Sequence, residues 1–146
     1  MSAHIISKLL DLGETNSLIE GLYQEAKKIK NLEKPLAFGF LVKDKFDRMI
    51  GGLQGYSFYG DHHIDLLWLH PNYRRLGLGR ELMQKCEQLG IERHCNFMTV
   101  STMDWEALPF YEKCGFELEL TRVGYKENSK NYLLKKLLPI LVKTKI

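Results

Sequence analysis

The chain has too few cysteines, and in the wrong places, for a disulfide framework. Cys86, Cys95 and Cys114 are odd in number, widely spaced and without a Cys-x-x-Cys pair. That also argues against a zinc ribbon; the thiols read as reduced ones of a cytoplasmic protein, and no metal is expected. No apolar run approaches the length of a membrane span and no N-terminal signal is visible, so no membrane partner is expected. Charge of one sign is scarce: 21 Lys and Arg stand against 18 Asp and Glu, leaving +3. The basic residues are scattered among acidic ones, which speaks against a nucleic-acid partner. Internal repeats, low-complexity tracts and a long linker are also missing. There is no Gly-Lys-Ser/Thr, which rules out a Walker loop.

What remains is ordinary globular composition, 45% hydrophobic and 27% charged, over 146 residues. That length suits one domain, 1–146, with a full core. Residues 1–12 read as a short strand around 3–7 or as a lead-in to a helix. Ser17-x-x-Glu20 has the spacing of a capping box, and Leu18, Ile19, Leu22, Ala26 and Ile29 give an apolar helical face to about Lys30. Pro35 ends it. Leu36–Val42 and Arg48–Phe58 read as a hairpin around the polar turn Lys43–Asp47; Gly51, Gly52 and Gly55 mark a bulge or a close backbone approach in its second strand.

The stretch 64–89 organises the rest. A buried-looking strand, Ile64-Asp65-Leu66-Leu67-Trp68-Leu69, starts near His62 or His63 and runs into His70-Pro71-Asn72-Tyr73. Arg74-Arg75-Leu76-Gly77-Leu78-Gly79 follows, and then a helix with Leu78, Leu82, Cys86 and Leu89 on one face and Gly90 as its stop. A strand-to-helix turn presents free N–H groups at the positive end of the helix dipole. Gly77 and Gly79 allow close approach of a ligand, and Arg74, Arg75 and Arg80 add charge. These are the physics of a phosphate site. The segment Gly77-Leu78-Gly79-Arg80-Glu81-Leu82 lacks the third glycine of a dinucleotide fingerprint.

Downstream, Asn96–Thr102 reads as a strand parallel to the central one, because a helical crossover joins them. Trp105–Lys113 reads as a short helix, Phe116–Val123 as an alternating strand, Gly124–Lys130 as a polar connection and Asn131–Leu138 as the last strand, closed by Pro139. Ile140–Ile146 is an apolar and basic tail without an assignment. The order of elements implies an α/β (α+β) fold, a mixed sheet with helices on its faces.

Arg-Arg-Leu-Gly-Leu-Gly after a strand resembles the acetyl-coenzyme A loop of the GNAT N-acetyltransferases, which reads Arg/Gln-x-x-Gly-x-Gly/Ala. Ala107-Leu108-Pro109-Phe110-Tyr111-Glu112-Lys113-Cys114-Gly115-Phe116, about 30 residues on, resembles the second signature of the same family. Ile-Asp-Leu-Leu-Trp-Leu before the loop is similar to a bacterial branch that includes streptothricin-type acetyltransferases. The resemblance implies a sheet whose central strand splays from its parallel neighbour. It implies acetyl-coenzyme A as co-substrate, its pantetheine arm pairing with the backbone of Leu67, Trp68 and Leu69 and its pyrophosphate on the N–H groups of Arg74, Arg75, Leu76, Gly77, Leu78 and Gly79, beside Arg80. It implies Tyr111 as the acid that protonates the leaving thiolate. Edge strands in the family often make dimers, so a homodimer is an expectation by analogy.

For the general base, counting back from Arg74 puts His63 where some members carry a carboxylate. Asp65, two residues on, should share its strand face; His63, Asp65 and ordered water all stand as candidates. Asp104 replaces an asparagine that contacts the cofactor in many members, and capping of the following helix is its expected role. Trp105 is expected near the cofactor or in the core. The resemblance places the acceptor between the first helix, the loop Asn31–Lys34 and the Gly124–Lys130 connection. The acceptor itself stays open among small amines, an aminoglycoside- or streptothricin-like antibiotic, and a peptide amine. Glu117 and Glu119 could attract a cationic amine or simply be solvated. The substituted base position and Asp104 also admit a catalytically weak acyl-coenzyme A sensor or protein-interaction module.

Overall fold

The computed structural model describes residues 1–140. The tail from 141 on, to which the sequence assigns no role, lies outside the described residues. The chain divides into two compact units, Met1–Pro35 and a larger one beginning at Leu36.

The first unit is built on one helix, α1 (Leu12–Lys30), with no strand before it. The capping box is not Ser17–Glu20. Asp11 is the N-cap: its carboxylate accepts from the Glu14 N–H at 2.8 Å, and Glu14 accepts from the Asp11 N–H at 3.0 Å. The same spacing of cap and acid occurs twice, and Asp11 precedes the earlier start; such a cap contributes about 1 kcal/mol. The Ser17 hydroxyl instead donates back to the Gly13 carbonyl inside the helix. Asn31, left-handed at φ 53°, ends it.

The second unit is a six-stranded mixed sheet. Its strands are β1 (Leu36–Lys43), β2 (Met49–Phe58), β3 (Asp61–Leu69), β4 (Phe97–Met103), β5 (Glu117–Tyr125) and β6 (Ser129–Leu137). Their order is β1-β2-β3-β4-β6-β5, with β3 and β4 parallel, as the crossover requires, and every other pair antiparallel. The helices are α2 (Leu78–Glu92) and α3 (Leu108–Lys113).

Helix α2 buries Leu82, Met83, Cys86 and Gly90. Gly90 is not its stop. A Cβ there would come within 2.8 Å of the His62 ring and 3.0 Å of Leu138, so glycine lets the helix sit close to β3 and continue to Glu92. The turn falls instead at Arg93 and at His94, which is left-handed at φ 57°. Ile64, Met98, Leu134, Cys86 and His62 are the largest fully buried side chains. Cys86, Cys95 and Cys114 are all free thiols. Among the described residues no helix is long and apolar enough to cross a membrane.

Candidate active site

The loop between β3 and α2 is an uncapped helix start. His70 Nδ1 accepts from the Asn72 N–H, shaping a 3-10 turn over Pro71–Tyr73. Arg75 and Gly77 then adopt left-handed backbone, φ 62° and 87°. Gly77 is the N-cap and has no side chain to cap with. The first intrahelical bond runs from the Glu81 N–H to the Gly77 carbonyl, so among the described residues the N–H groups of Leu78, Gly79 and Arg80 find no carbonyl partner. A Cβ on Gly77 would meet nothing within 4 Å, which leaves open space in front of those donors. Arg75, Leu76 and Arg80 are exposed around it. Arg74 does something different: its Nε donates to the Leu69 carbonyl at 2.9 Å, tying the loop back to the end of β3. That carbonyl, placed by the resemblance opposite the pantetheine arm, thus already has a partner.

The gap beside β3 is built by a bulge. Gly55 pairs with Ile64 and Gln54 with Leu66, so Asp65 is one residue too many on β3. Gly55 is required there, because a Cβ would stand 1.9 Å from the His63 carbonyl oxygen. Beyond His63 the pairing with β4 stops: the parallel register covers only Asp61–Phe97, His62–Met98 and His63–Thr99. The edge of β3 toward β4 is then open through Leu67, Trp68 and Leu69, while the other edge stays paired to β2 as far as Leu69. The two parallel strands fork, as expected, and α2 starts just beyond the fork.

His62 and Ile64 are buried, and His63 and Asp65 both lie off the core face, as alternation expects; the bulge breaks the alternation after Asp65, so Leu66 is also exposed and Leu67 is the residue that packs on the core. His63 meets two residues absent from the sequence reading of the base. Its Nδ1 lies 2.7 Å from Thr99 Oγ1, and the Thr99 hydroxyl donates to Asp61 Oδ1 at 2.7 Å. Burial raises the Asp61 carboxyl above its ordinary value, Thr99 and His63 pull it down, and the nearby Glu119 pushes it up. These side chains line a cleft of about 360 Å³ together with Tyr56, Arg122 and Asn131.

Tyr111 is buried on α3, its ring edge-on to Phe110 and Phe116. Burial pushes its phenol well above the ordinary tyrosine value, and the neighbouring Glu106 adds to the shift. The group holds its proton at neutral pH and so is available as a donor. Helix α3 is shorter than the periodicity suggests. Asp104 does not cap it: the cap residue is Ala107, and the Asp104 N–H donates to the Lys130 carbonyl. The Thr102 hydroxyl accepts from the Ala107 N–H, and Glu106 accepts from the Met103 N–H. Trp105 is 68% exposed, so it is not a core residue.

An open strand edge, a fork and an uncapped helix start in series describe a channel for an extended, amide-bearing ligand that ends in phosphate. Residues 7–116 match the family described as Acetyltransferase (GNAT). The chain belongs to that acetyltransferase family.

Among curated proteins, the GNAT chain is 33% identical over 89 residues to the blasticidin-S acetyltransferase of Streptomyces morookaense, a match spanning 60% of this chain and 65% of that protein. Among solved structures, it is similar to an acetyltransferase from Bacillus cereus at a TM-score of 0.75 and 21% identity, covering 93% of this chain and 98% of the other. It is also similar to a protein from Bacillus anthracis described as a streptothricin acetyltransferase and solved with acetyl coenzyme A, at a TM-score of 0.63 and 20% identity, covering 73% and 65%. At those identities the two structures speak for the GNAT fold.

Asp61 and Thr99 were the residues that sequence reasoning missed. Asp61 reads as part of a Gly60-Asp61 turn, and Thr99 as one polar position in an alternating strand. They lie 38 residues apart and meet only because β3 and β4 are in parallel register. The signal available was an acid at a strand start that should not be left without a partner.

Proposed function

We propose that the protein is an N-acetyltransferase that moves an acetyl group from acetyl-coenzyme A to a primary amine. The observation that carries this reading is the open edge of β3 beyond His63, which leads directly to the free N–H groups of Leu78, Gly79 and Arg80. An extended pantetheine arm can complete the unpaired edge at Leu67 and Trp68, and pyrophosphate suits the helix start with Gly77 and Gly79 beneath it. Arg75 and Arg80 supply charge from the solvent side, and Arg74 holds the loop in place. When bound, acetyl-coenzyme A supplies the activated acyl group.

Tyr111 is the acid: its buried phenol donates a proton to the departing sulfur. His63 is favoured over Asp65 as the group that takes the amine proton, because it is half-buried and held by a neighbour, whereas Asp65 is exposed on the bulge. The family's small-molecule members make a small acceptor the first to test, and blasticidin S is the natural probe.

The test is thermal unfolding with acetyl-coenzyme A, followed by release of free thiol with blasticidin S and a broad amine panel. Cofactor at about 100 times its Kd should add roughly 2.7 kcal/mol, a rise on the order of 5–10 °C. No rise at saturating cofactor would sink the reading. A rise without thiol release from any amine would leave a binding protein.

A further inference from the structure

We infer that Thr99 and Asp61 position His63 at the β3–β4 fork as the base. The inference rests on the acetyltransferase reading for the identity of the reaction, but its geometric core stands without it.

The argument is a proton count. A threonine hydroxyl has one proton, and Thr99 gives it to Asp61. Its oxygen can then only accept from His63, so Nδ1 of His63 carries hydrogen. The neutral ring must therefore keep its lone pair on Nε2. This is the state a base needs. Without a hydrogen-bond partner, imidazole prefers hydrogen on Nε2, which would blunt it; the Thr99–Asp61 pair reverses that preference.

The position fits as well. His63 is the last residue of β3 paired to β4, so it stands where the fork opens. Tyr56 from β2 lies against its ring at 5.4 Å between centroids. The charged and titratable groups facing it are Asp61 from its own strand, Tyr56 from β2, and Glu119 and Arg122 from β5, with Lys135 on β6 near Asp61. Glu119 is the extra residue where the β5–β6 register slips between Leu118 and Leu120. As the amine nitrogen bonds the acyl carbon and the C–S bond breaks, the amine gives one proton to His63 Nε2. Tyr111 gives one to the sulfur. Solvent then carries a proton from the imidazolium to the tyrosinate, restoring both groups.

The decisive experiment combines nitrogen NMR of the histidine rings with kinetics of Thr99→Val and Thr99→Ser. In the unmodified protein His63 should carry hydrogen on Nδ1; in Thr99→Val, which keeps the shape of the side chain, it should move to Nε2. Thiol release by Thr99→Val should fall roughly 10–100-fold in kcat, with KM for acetyl-coenzyme A and its thermal shift intact. Thr99→Ser should restore both signals. Hydrogen on Nε2 of His63 in the unmodified protein overturns the inference, as does a Thr99→Val enzyme with an unchanged kcat. The ring measurement needs no acceptor, so it decides the positioning even if every amine fails; that failure would count against the acetyltransferase reading instead.

Discussion

At the residue scale, environment separates groups that look alike on paper. Tyr56 stands exposed beside His63, whereas Tyr111 is buried on α3, where burial pushes its phenol upward. Tyr111→Phe should lower thiol release by roughly 10²-fold while leaving the acetyl-coenzyme A thermal shift in place; an unchanged rate would remove Tyr111 from the chemistry. Asp65 and His63 differ in the same way. Asp65→Asn should change kcat less than about twofold, because an exposed bulge residue has no route to the amine, and His63→Gln should cost roughly 10²-fold or more. Steady-state kinetics on the two variants, side by side, would expose a wrong assignment at once.

At the element scale, the fork is held open by backbone and not by side chains. Gly55 has the His63 carbonyl in the space a Cβ needs, so even Gly55→Ala must push β2 from β3 or undo the bulge. The expected loss is about 2–4 kcal/mol, visible as a lower midpoint in urea unfolding. Gly77→Ala should behave differently. Its φ of 87° makes a side chain costly by about 1–2 kcal/mol, yet nothing would collide. Its clearer signature should be a weakened thermal shift with acetyl-coenzyme A, since its bare surface faces the free N–H groups. The sequence pointed to both glycines, and the loop needed no correction as an element. It was less informative about helix ends. Asp11 beat Ser17 as a cap and Gly90 proved to be a packing glycine, because caps and close contacts share the same residue types.

At the scale of the whole molecule, His62 couples the core to pH. It is fully buried, stacked on Phe38 at 4.2 Å, with Nδ1 at 2.8 Å from Ser57 Oγ. Burial lowers its pKa to about 4, and the Arg93 guanidinium pushes in the same direction. In the unfolded chain the ring titrates near 6.5. Above that pH both states are neutral and stability is whole. Between 6.5 and about 4 the unfolded chain takes up a proton that the folded one refuses, so stability falls with pH, by about 3 kcal/mol in all. Unfolding free energies from pH 7 to 4 should show this slope, and His62→Gln should flatten it; parallel curves for the two proteins would count against His62 as its source.

Some of this protein is written along the chain and some is not. Hydrophobic period, turn residues and two local motifs fixed the strands of the sheet, the loop that leads into α2 and the parallel β3–β4 pair. Each depends on neighbours within one element or across one short connection. The partner of His63 depended on something no local pattern carries. A parallel register sets Asp61 and Thr99 beside each other across 38 positions, and further along β3 one bulge residue breaks the alternation after Asp65. Side-chain direction in a strand alternates with period two, so a single inserted residue reverses everything after it, and only the folded sheet shows where that residue lies.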